Sequence, residues 1–205
     1  MNENLKKIIL ATKNKAKVTE INAMFEGCGV EFAPVDDYIQ DMDVEEDGAT
    51  YRENAYKKAA FVHGRTGLAV VSEDSGLEVK ALDWGPGIYS ARYAGEKAKD
   101  LDNTKKLIGA ISGLPPKERS ARYVCVLCLI DESGRAEYFE GQVRGTVIET
   151  PRGVSGFGYD PVFVPDGFQK TFAELGQAVK NSISHRANAI RAMKEYLIEI
   201  GTPAA

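Results

Sequence analysis

An apolar run that ends in two adjacent acids constrains the fold of this chain most strongly. Residues 68–72 are apolar enough for a buried strand, and Glu73-Asp74-Ser75-Gly76 follows them directly. A carboxylate buried without a partner costs several kcal/mol, so a core strand that delivers two of them favours a metal ion or a proton-transfer role. Because Asp, Ser and Gly also form turns, a strand that leads into a solvated turn is the alternative interpretation.

Length and composition place the chain among globular proteins. Its 205 residues suit one domain, or two lobes that share a sheet. A hydrophobic content of 43% with 27% charged residues is ordinary, and no apolar run approaches the roughly 18 residues that a membrane helix needs. The N-terminal segment 1–4 lacks the layout of a secretory signal. We therefore predict a cytoplasmic protein with no membrane partner.

Charge and cysteine content exclude two further classes. The net charge of -4 argues against a general nucleic-acid binder, although a local cluster of cations would still bind a small phosphorylated ligand. Cys125 and Cys128 lie inside an apolar run, without the turn that a metal-binding or redox pair normally has. We predict that these cysteines only pack.

A strand-to-helix turn near the N-terminus gathers positive charge. Residues 7–12 predict a short strand, and residues 18–25 place apolar side chains at helical spacing. Lys13, Lys15 and Lys17 crowd the helix start, where backbone N–H groups and the helix dipole favour an anion. A bound phosphate would remove this electrostatic conflict. Three solvated lysines on a surface turn are the alternative.

An acid-rich segment precedes the next helix. Residues 41–47 carry five acids, and residues 51–62 follow a helical pattern with Thr50 as a predicted N-cap. Such a segment is often only a solvated loop. Its position just before a helix start also allows one of its acids to face a cation held by Glu73 and Asp74.

The middle of the chain supplies the scaffold. Residues 77–82 predict a strand, and the glycine-rich, aromatic segment 84–93 is typical of a structured loop that lines a pocket or a dimer contact. Residues 102–111 predict a helix, which we interpret as purely structural. Residues 121–130 and 136–149 predict two long strands joined by a hairpin turn.

A second glycine-rich loop and a second group of cations lie near the C-terminus. Residues 153–161 combine glycines with aromatic residues, which suits a flat base, but they lack the spacing of a Walker or Rossmann motif. Ser184 is the predicted N-cap of the final helix, and Lys180, His185 and Arg186 surround its start. These cations again lie where the helix dipole prefers an anion.

Together these features point to one kind of ligand. Clustered carboxylates suit a divalent cation, cations at two helix starts suit phosphates, and the aromatic loop suits a planar group. A nucleoside triphosphate with Mg2+ meets all three conditions, because Mg2+ commonly uses one or two carboxylates together with substrate phosphates. An acid beside the metal could also orient or deprotonate a water for attack on phosphorus.

Six motifs occur in order over nearly the whole chain. They are Thr12-x-Asn14-x-x-Lys17, Glu46-x-Gly48 with Glu53-Asn54-Ala55, Asp74-Ser75-Gly76-Leu77, Pro86-Gly87-Ile88-Tyr89-Ser90-Ala91-Arg92-Tyr93, Gly156-Phe157-Gly158-Tyr159-Asp160-Pro161 and Ser184-His185-Arg186. This set closely resembles the inosine triphosphate pyrophosphatase family. The resemblance implies an α/β fold over residues 1–205, a single domain with an elongated mixed sheet and flanking helices that form two lobes around a central cleft. It also implies a homodimer that requires Mg2+.

The activity implied by the resemblance is hydrolysis of non-standard purine nucleoside triphosphates. ITP, dITP and XTP would be cleaved between the α and β phosphates to the monophosphate and pyrophosphate, which keeps deaminated purines out of nucleic acids. A non-enzymatic nucleotide-binding sensor and a pyrophosphatase for modified pyrimidine triphosphates are the alternatives. The presence of Glu46, Glu73 and Asp74 argues against a sensor, which needs no acids at a metal.

The resemblance also assigns roles to residues. It implies that Asp74 is the proton acceptor and a metal ligand, with Glu46 as a second acid and Glu73, where the family often has Asp, as an additional candidate ligand. The implied contacts to the triphosphate are Thr12, Lys13, Asn14, Lys15, Ala16 and Lys17, with Lys58, Ser75 and Lys180. The implied purine pocket consists of Phe157, Gly158, Tyr159, Asp160, His185 and Arg186.

Overall fold

The computed structural model describes residues 6–13 and 15–201. The strands are β1 (Lys6–Leu10), β2 (Val30–Pro34), β3 (Val70–Val79), β4 (Ser120–Ile130), β5 (Ala136–Val147) and β6 (Phe163–Pro165). The helices are α1 (Lys15–Met24), α2 (Tyr51–Thr66), α3 (Asp100–Ile111), α4 (Phe172–Ile183) and α5 (His185–Gly201). The strands form one six-stranded sheet in the order β2-β1-β3-β4-β5-β6. The predicted α/β class with a mixed sheet is confirmed.

The sheet is mixed because its two ends are built differently. β1 pairs in parallel with β2 and with β3, and α1 and α2 form the connections that parallel strands require. At the other end β5 and β6 pair in antiparallel fashion. Strands in parallel sheets are buried on both faces, and Ile8, Ile9, Val70 and Val71 are accordingly almost fully buried.

The chain divides into two compact units. Unit 1 comprises the described parts of residues 1–74, 126–140 and 189–205, and unit 2 comprises residues 75–125 and 141–188. Each unit has an aromatic centre, and these rings meet at the edge-to-face or tilted angles that aromatic pairs favour. In unit 1 the pair is Phe25 and Phe32, with ring centroids 4.8 Å apart. In unit 2 the Phe163 ring lies between two others, with its centroid 4.8 Å from that of Tyr123 and 5.3 Å from that of Phe172.

The prediction of a strand end at Ser72 is wrong. β3 runs without interruption from Val70 to Val79, so the segment 73–76 lies inside a strand and not after one. β3 lies between β1 and β4 in the sheet, and its register with β1 covers Val70 and Val71. The strand continues beyond that contact, so its place in the sheet overrides the turn preference of Asp, Ser and Gly. Side chains alternate between the two faces of a strand, so Glu73 and Asp74 project in opposite directions.

The predicted helix starts are confirmed. The Thr50 hydroxyl accepts the Glu53 N–H at 3.1 Å, and the Glu53 carboxylate accepts the Ala49 N–H at 2.7 Å. The Ser184 hydroxyl accepts the Ala187 N–H at 3.1 Å in the first turn of α5. These bonds satisfy N–H groups that have no acceptor within the helix, which is why both patterns predicted their helices correctly.

The strand predicted over residues 77–82 is wrong in part, because β3 ends at Val79 and Lys80–Leu82 form a 3-10 helix. The other predicted scaffold elements hold with small shifts. The hairpin of β4 and β5 turns through Asp131, whose carboxylate accepts N–H groups from Ser133 and Arg135. Cys125 and Cys128 are buried in β4, in agreement with a packing role. Within the described ranges, no helix is long and apolar enough to cross a membrane.

Candidate active site

Three predicted site residues meet in unit 1. Asp74 on β3 and Lys58 on α2 are both buried, and the loop before α2 supplies Glu46. The Lys58 Nζ lies 3.0 Å from the Glu46 Oε2 and 3.4 Å from the Asp74 Oδ1. One lysine therefore holds two carboxylates together.

Asn54 is a fourth member of this cluster. Its amide nitrogen donates to the Asp74 Oδ2 at 3.3 Å, and its amide oxygen accepts the Gly48 N–H at 2.8 Å. A Cβ on Gly48 would lie 2.6 Å from that oxygen, so the close approach requires glycine. Asn54 thus connects the acid-bearing loop to the Asp74 strand. No role for Asn54 was predicted from the sequence, although its spacing of four residues from Lys58 places both on one helix face.

The environment of Asp74 tunes its acidity. Burial, the largest effect, and the neighbouring Glu46 carboxylate raise the pKa of Asp74 to about 6, against the opposing effects of Lys58 and Asn54. A carboxyl group with such a pKa gains and loses a proton close to neutral pH. That property suits a general base.

Glu73 lies apart from this cluster. Its Oε1 is 3.4 Å from the Nζ of Lys17 on α1, which places the carboxylate against the predicted triphosphate loop. In that loop Thr12 is half-buried and Lys13 is exposed. Asn14 lies outside the described residues, as do the side chains of Lys15 and Ala16.

A buried ion pair anchors the predicted base loop in unit 2. Asp160 is 1% exposed and Lys180 is 4% exposed, and the Lys180 Nζ bonds to the Asp160 Oδ2. The same oxygen accepts the Phe157 N–H at 2.9 Å. The ring of Phe157 remains half-exposed, with the Lys180 Nζ 3.9 Å and the Arg186 Cζ 5.4 Å from its centroid. These contacts hold an aromatic face and two cations next to each other.

The other predicted pocket residues lie in the same unit. The His185 ring stacks on Tyr123, with centroids 4.7 Å apart and planes at 8°. The Tyr159 hydroxyl donates to the Ser90 carbonyl oxygen at 2.8 Å, which ties the base loop to the 3-10 helix Gly87–Arg92. Ser75 also belongs to unit 2, immediately after Asp74.

The structure adds two residues of α3 that the sequence analysis missed. The Gly158 N–H donates to the Asp100 Oδ2 at 2.7 Å, and the Thr104 hydroxyl donates to the Gly158 carbonyl oxygen at 3.2 Å. The interpretation of this helix as purely structural is therefore incomplete. More than 50 residues separate the partners, so no local pattern carries the signal.

We expect alanine at the two loop glycines to have unequal effects. Gly156 and Gly158 both adopt positive φ, 85° and 59°, which costs an L-residue about 1–2 kcal/mol. A Cβ on Gly158 meets nothing within 4 Å, whereas one on Gly156 would fall directly on the Asp160 carboxylate. Gly156→Ala should therefore lower the free energy of unfolding by about 3 kcal/mol or more, because it also disturbs a buried ion pair. Equal losses for both variants in urea denaturation would contradict this account of the loop.

The described side chains limit how a metal ion would be held. Among residues 6–13 and 15–201, no group of three or more His, Cys, Asp or Glu side chains is arranged to bind one. Glu46 and Asp74 offer two carboxylates, a donor set that fits Mg2+, which completes its octahedron with water and phosphate oxygens. A cation would also neutralise the repulsion from Glu46 that, after the larger effect of burial, helps to raise the pKa of Asp74.

These features define an α/β protein with a buried acid–lysine cluster in one unit and an aromatic, cation-flanked loop in the other. A sequence model of the Ham1 family matches residues 8–196. The dITP/XTP pyrophosphatase of Geobacter sulfurreducens is 41% identical over 191 residues, covering 93% of this chain and 96% of that protein. The enzyme of the same name from Bacillus licheniformis is 44% identical over 193 residues, covering 94% and 98%.

Solved structures give the same result. The Ham1 protein of Staphylococcus aureus superposes with a TM-score of 0.88 at 37% identity, covering 95% of this chain and all of that one. A nucleoside-triphosphatase named dITP/XTP pyrophosphatase from Mycobacterium abscessus gives 0.78 at 39% identity, covering 91% and 97%. The chain belongs to the Ham1 family. The assignment predicted from the six motifs is confirmed.

Proposed function

We propose that this chain is a nucleoside triphosphate pyrophosphohydrolase that removes non-standard purine nucleotides from the nucleotide pool. Its substrates would be dITP, XTP and ITP, cleaved between the α and β phosphates to the monophosphate and pyrophosphate. The printed names of relatives at 41% and 44% identity support this class of reaction. The single observation that carries the proposal is the buried Asp74 carboxylate, held by Lys58 and Asn54 beside Glu46.

In this proposal Asp74 accepts the proton of the attacking water. Its raised pKa makes the carboxylate a stronger base than an exposed aspartate, while Asn54 and Lys58 fix its two oxygens in place. Glu46 and Asp74 would hold Mg2+, which supplies positive charge to the phosphate oxygens when it is bound. Lys58 keeps the two carboxylates together and adds a positive charge close to the triphosphate.

Glu73 has a different task in this proposal. Because it projects from the opposite face of β3 and contacts Lys17, we assign it to positioning that lysine for the triphosphate. A lysine near a helix start is poorly placed with respect to the helix dipole, and the Glu73 carboxylate offsets part of that cost. Glu73 would then influence substrate binding more than the chemical step.

Base recognition belongs to unit 2. The half-exposed ring of Phe157 offers a stacking surface for a flat purine, and Lys180 and Arg186 place cations beside that ring. His185 lies in the same unit, stacked on Tyr123. A pocket that donates hydrogen bonds to a 6-oxo group leaves those donors unpaired when the base carries a 6-amino group. Discrimination against adenine nucleotides follows from that difference.

The working assembly is also part of the proposal. We assign the dimer contact to the segment around the 3-10 helix Gly87–Arg92, where Trp84 is 42% exposed and Tyr89 is 56% exposed. Exposed aromatic side chains are enriched in protein contacts. The homodimer would act in the cytoplasm on free nucleotides and not on nucleic acid, in keeping with the net charge of -4.

A substrate panel tests the proposal. Initial rates with Mg2+ should be compared for ITP, dITP, XTP, ATP, GTP and a modified pyrimidine triphosphate. We expect the deaminated purines to exceed ATP and GTP by at least about 10²-fold in kcat/KM. A preference for the pyrimidine would instead indicate a pyrophosphatase for modified pyrimidine triphosphates. Tight binding of ITP without turnover would indicate a nucleotide-binding sensor.

The raised pKa of Asp74 predicts competition between protons and Mg2+. Above about pH 6 the Asp74 carboxylate is ionised and can bind the cation. Below that pH the carboxyl group must lose its proton before Mg2+ can bind. The Mg2+ concentration for half-maximal turnover should therefore rise as pH falls through that value. Because Glu46 helps to raise the pKa, Glu46→Gln should shift this rise to lower pH. A half-saturating Mg2+ concentration that is constant across this range would contradict the assignment.

A further inference from the structure

Helix α3 holds the backbone of the base loop through both polar groups of one residue, Gly158. The Gly158 N–H donates to Asp100 and the Gly158 carbonyl accepts from Thr104. Asp100 and Thr104 are four residues apart on α3, so both side chains lie on the same helix face. Thr104 is buried, whereas Asp100 is exposed.

The loop depends on such anchors because its own backbone is permissive. Gly156 and Gly158 flank Phe157, and both adopt positive φ. Glycine populates positive and negative φ almost equally, so neither residue by itself fixes the direction of the Phe157 ring. On the N-terminal side the Phe157 N–H bonds to Asp160, and on the C-terminal side α3 supplies the restraint.

Neighbouring polar residues of α3 have other partners. Asp102 accepts the Lys99 N–H at 3.0 Å, which caps the helix. Asn103 donates to the Ala91 carbonyl oxygen and accepts the Ala94 N–H. The first turn therefore contains two aspartates with separate tasks, one bonded within the helix start and one bonded to the base loop.

We propose that Asp100 and Thr104 are positioning residues for purine recognition, which act by holding Gly158 so that the Phe157 ring faces the base. This inference rests on the proposed function. Neither side chain is assigned a contact with the nucleotide. Their effect is carried by the peptide of Gly158 and should therefore concern binding of the base and not cleavage of the phosphate.

The expected kinetic signature is a selective rise in KM. A hydrogen bond to a charged group contributes more than one between neutral groups, so we expect Asp100→Ala to raise KM for ITP about tenfold and Thr104→Val about fivefold. kcat should change little, because uniform binding is lost while the interactions of the transition state remain. The double variant should fall short of the product of the two effects, since both bonds hold the same residue.

Conservative and matched variants separate this role from a general loss of stability. Thr104→Ser keeps the hydroxyl and should stay close to the wild-type KM. Asp100→Asn keeps an acceptor without the charge, so it should raise KM less than Asp100→Ala does. Asp102→Ala removes the helix cap without contacting Gly158, and it should lower the unfolding temperature while leaving KM unchanged.

Product inhibition gives a readout that distinguishes the base from the phosphates. The inhibition constant of inosine monophosphate should rise in Asp100→Ala and Thr104→Val, and that of pyrophosphate, which has no base, should stay the same. An equal rise for both products, or an unchanged KM in both variants, would overturn the inference. Absence of ITP turnover in the unaltered protein would instead overturn the proposed function, so the two failures are distinguishable.

Discussion

Replacing Asp74 by asparagine is expected to lower kcat for ITP by about 10²–10⁴-fold, the range attributed to general acid–base catalysis, while the chain stays folded. The amide has the shape of the carboxyl group but cannot accept a proton from water. It also keeps an oxygen acceptor for Lys58 or Asn54, so the cluster should persist. Steady-state kinetics with circular dichroism of the same preparation would measure both parts. Wild-type turnover by the folded variant would contradict the role of Asp74.

The stability of this variant should depend on pH in a defined direction. Burial raises the pKa of Asp74 to about 6 from an unfolded value near 4, so the folded state holds the proton more tightly. Stability of the metal-free wild type should therefore fall as pH rises through this range, and Asp74→Asn removes that fall. The difference in unfolding temperature, variant minus wild type, should therefore increase as the pH rises from about 4 to about 7.

Glu73→Gln is the matched control for this prediction. It changes the adjacent residue by the same isosteric step, but on the opposite strand face and against Lys17. We expect mainly a higher KM and a kcat within about tenfold of wild type, because an interaction made equally in ground and transition states is lost. Equal loss of kcat in the two variants would show that both acids serve the chemical step.

The second large effect is expected at Asp160. Removing one partner of a buried ion pair costs about 3–5 kcal/mol of stability. Asp160→Ala leaves Lys180 without its carboxylate and the Phe157 N–H without its acceptor. Denaturant unfolding should show a loss of this size. Asp160→Ala combined with Lys180→Met should recover part of the stability, because no charge is then left buried. A loss below about 1 kcal/mol for the single change would contradict a structural role of the pair.

The scaffold could be predicted where local chemistry decides the outcome. Thr50 and Ser184 cap the helices that their sequence patterns predict, and the turn at Asp131 follows from a side chain that bonds its own backbone. α4 was not predicted, because Gly176 interrupts it with a non-helical conformation at φ 78°. Its capping box at Thr171 and Glu174 was the signal available in the sequence.

The site could be predicted only in part. The motif resemblance named Glu46, Lys58 and Asp74, and the structure brings them together. The same stretch of sequence suggested that Glu73 and Asp74 act side by side, since it gave no sign that the strand would continue through the acids. The extended strand separates them onto opposite faces.

Long-range contacts lie beyond local patterns for the same reason. The bonds from Asp100 and Thr104 to Gly158 depend on how two distant segments pack, and hydrophobic periodicity carries no information on which polar side chain will face which peptide. Asn54 is an intermediate case. A buried polar residue on the inner face of a helix must find partners, so its burial predicts a bond without naming Asp74 as the acceptor.

The most direct test of the central claim is the identity of the products. The protein should be incubated with ITP and Mg2+ in water enriched in oxygen-18. The products should then be separated and their masses determined by mass spectrometry. We predict inosine monophosphate and pyrophosphate in equal amounts, with one labelled oxygen in one of the two. Inosine diphosphate with free phosphate, or no turnover, would contradict the proposed cleavage between the α and β phosphates.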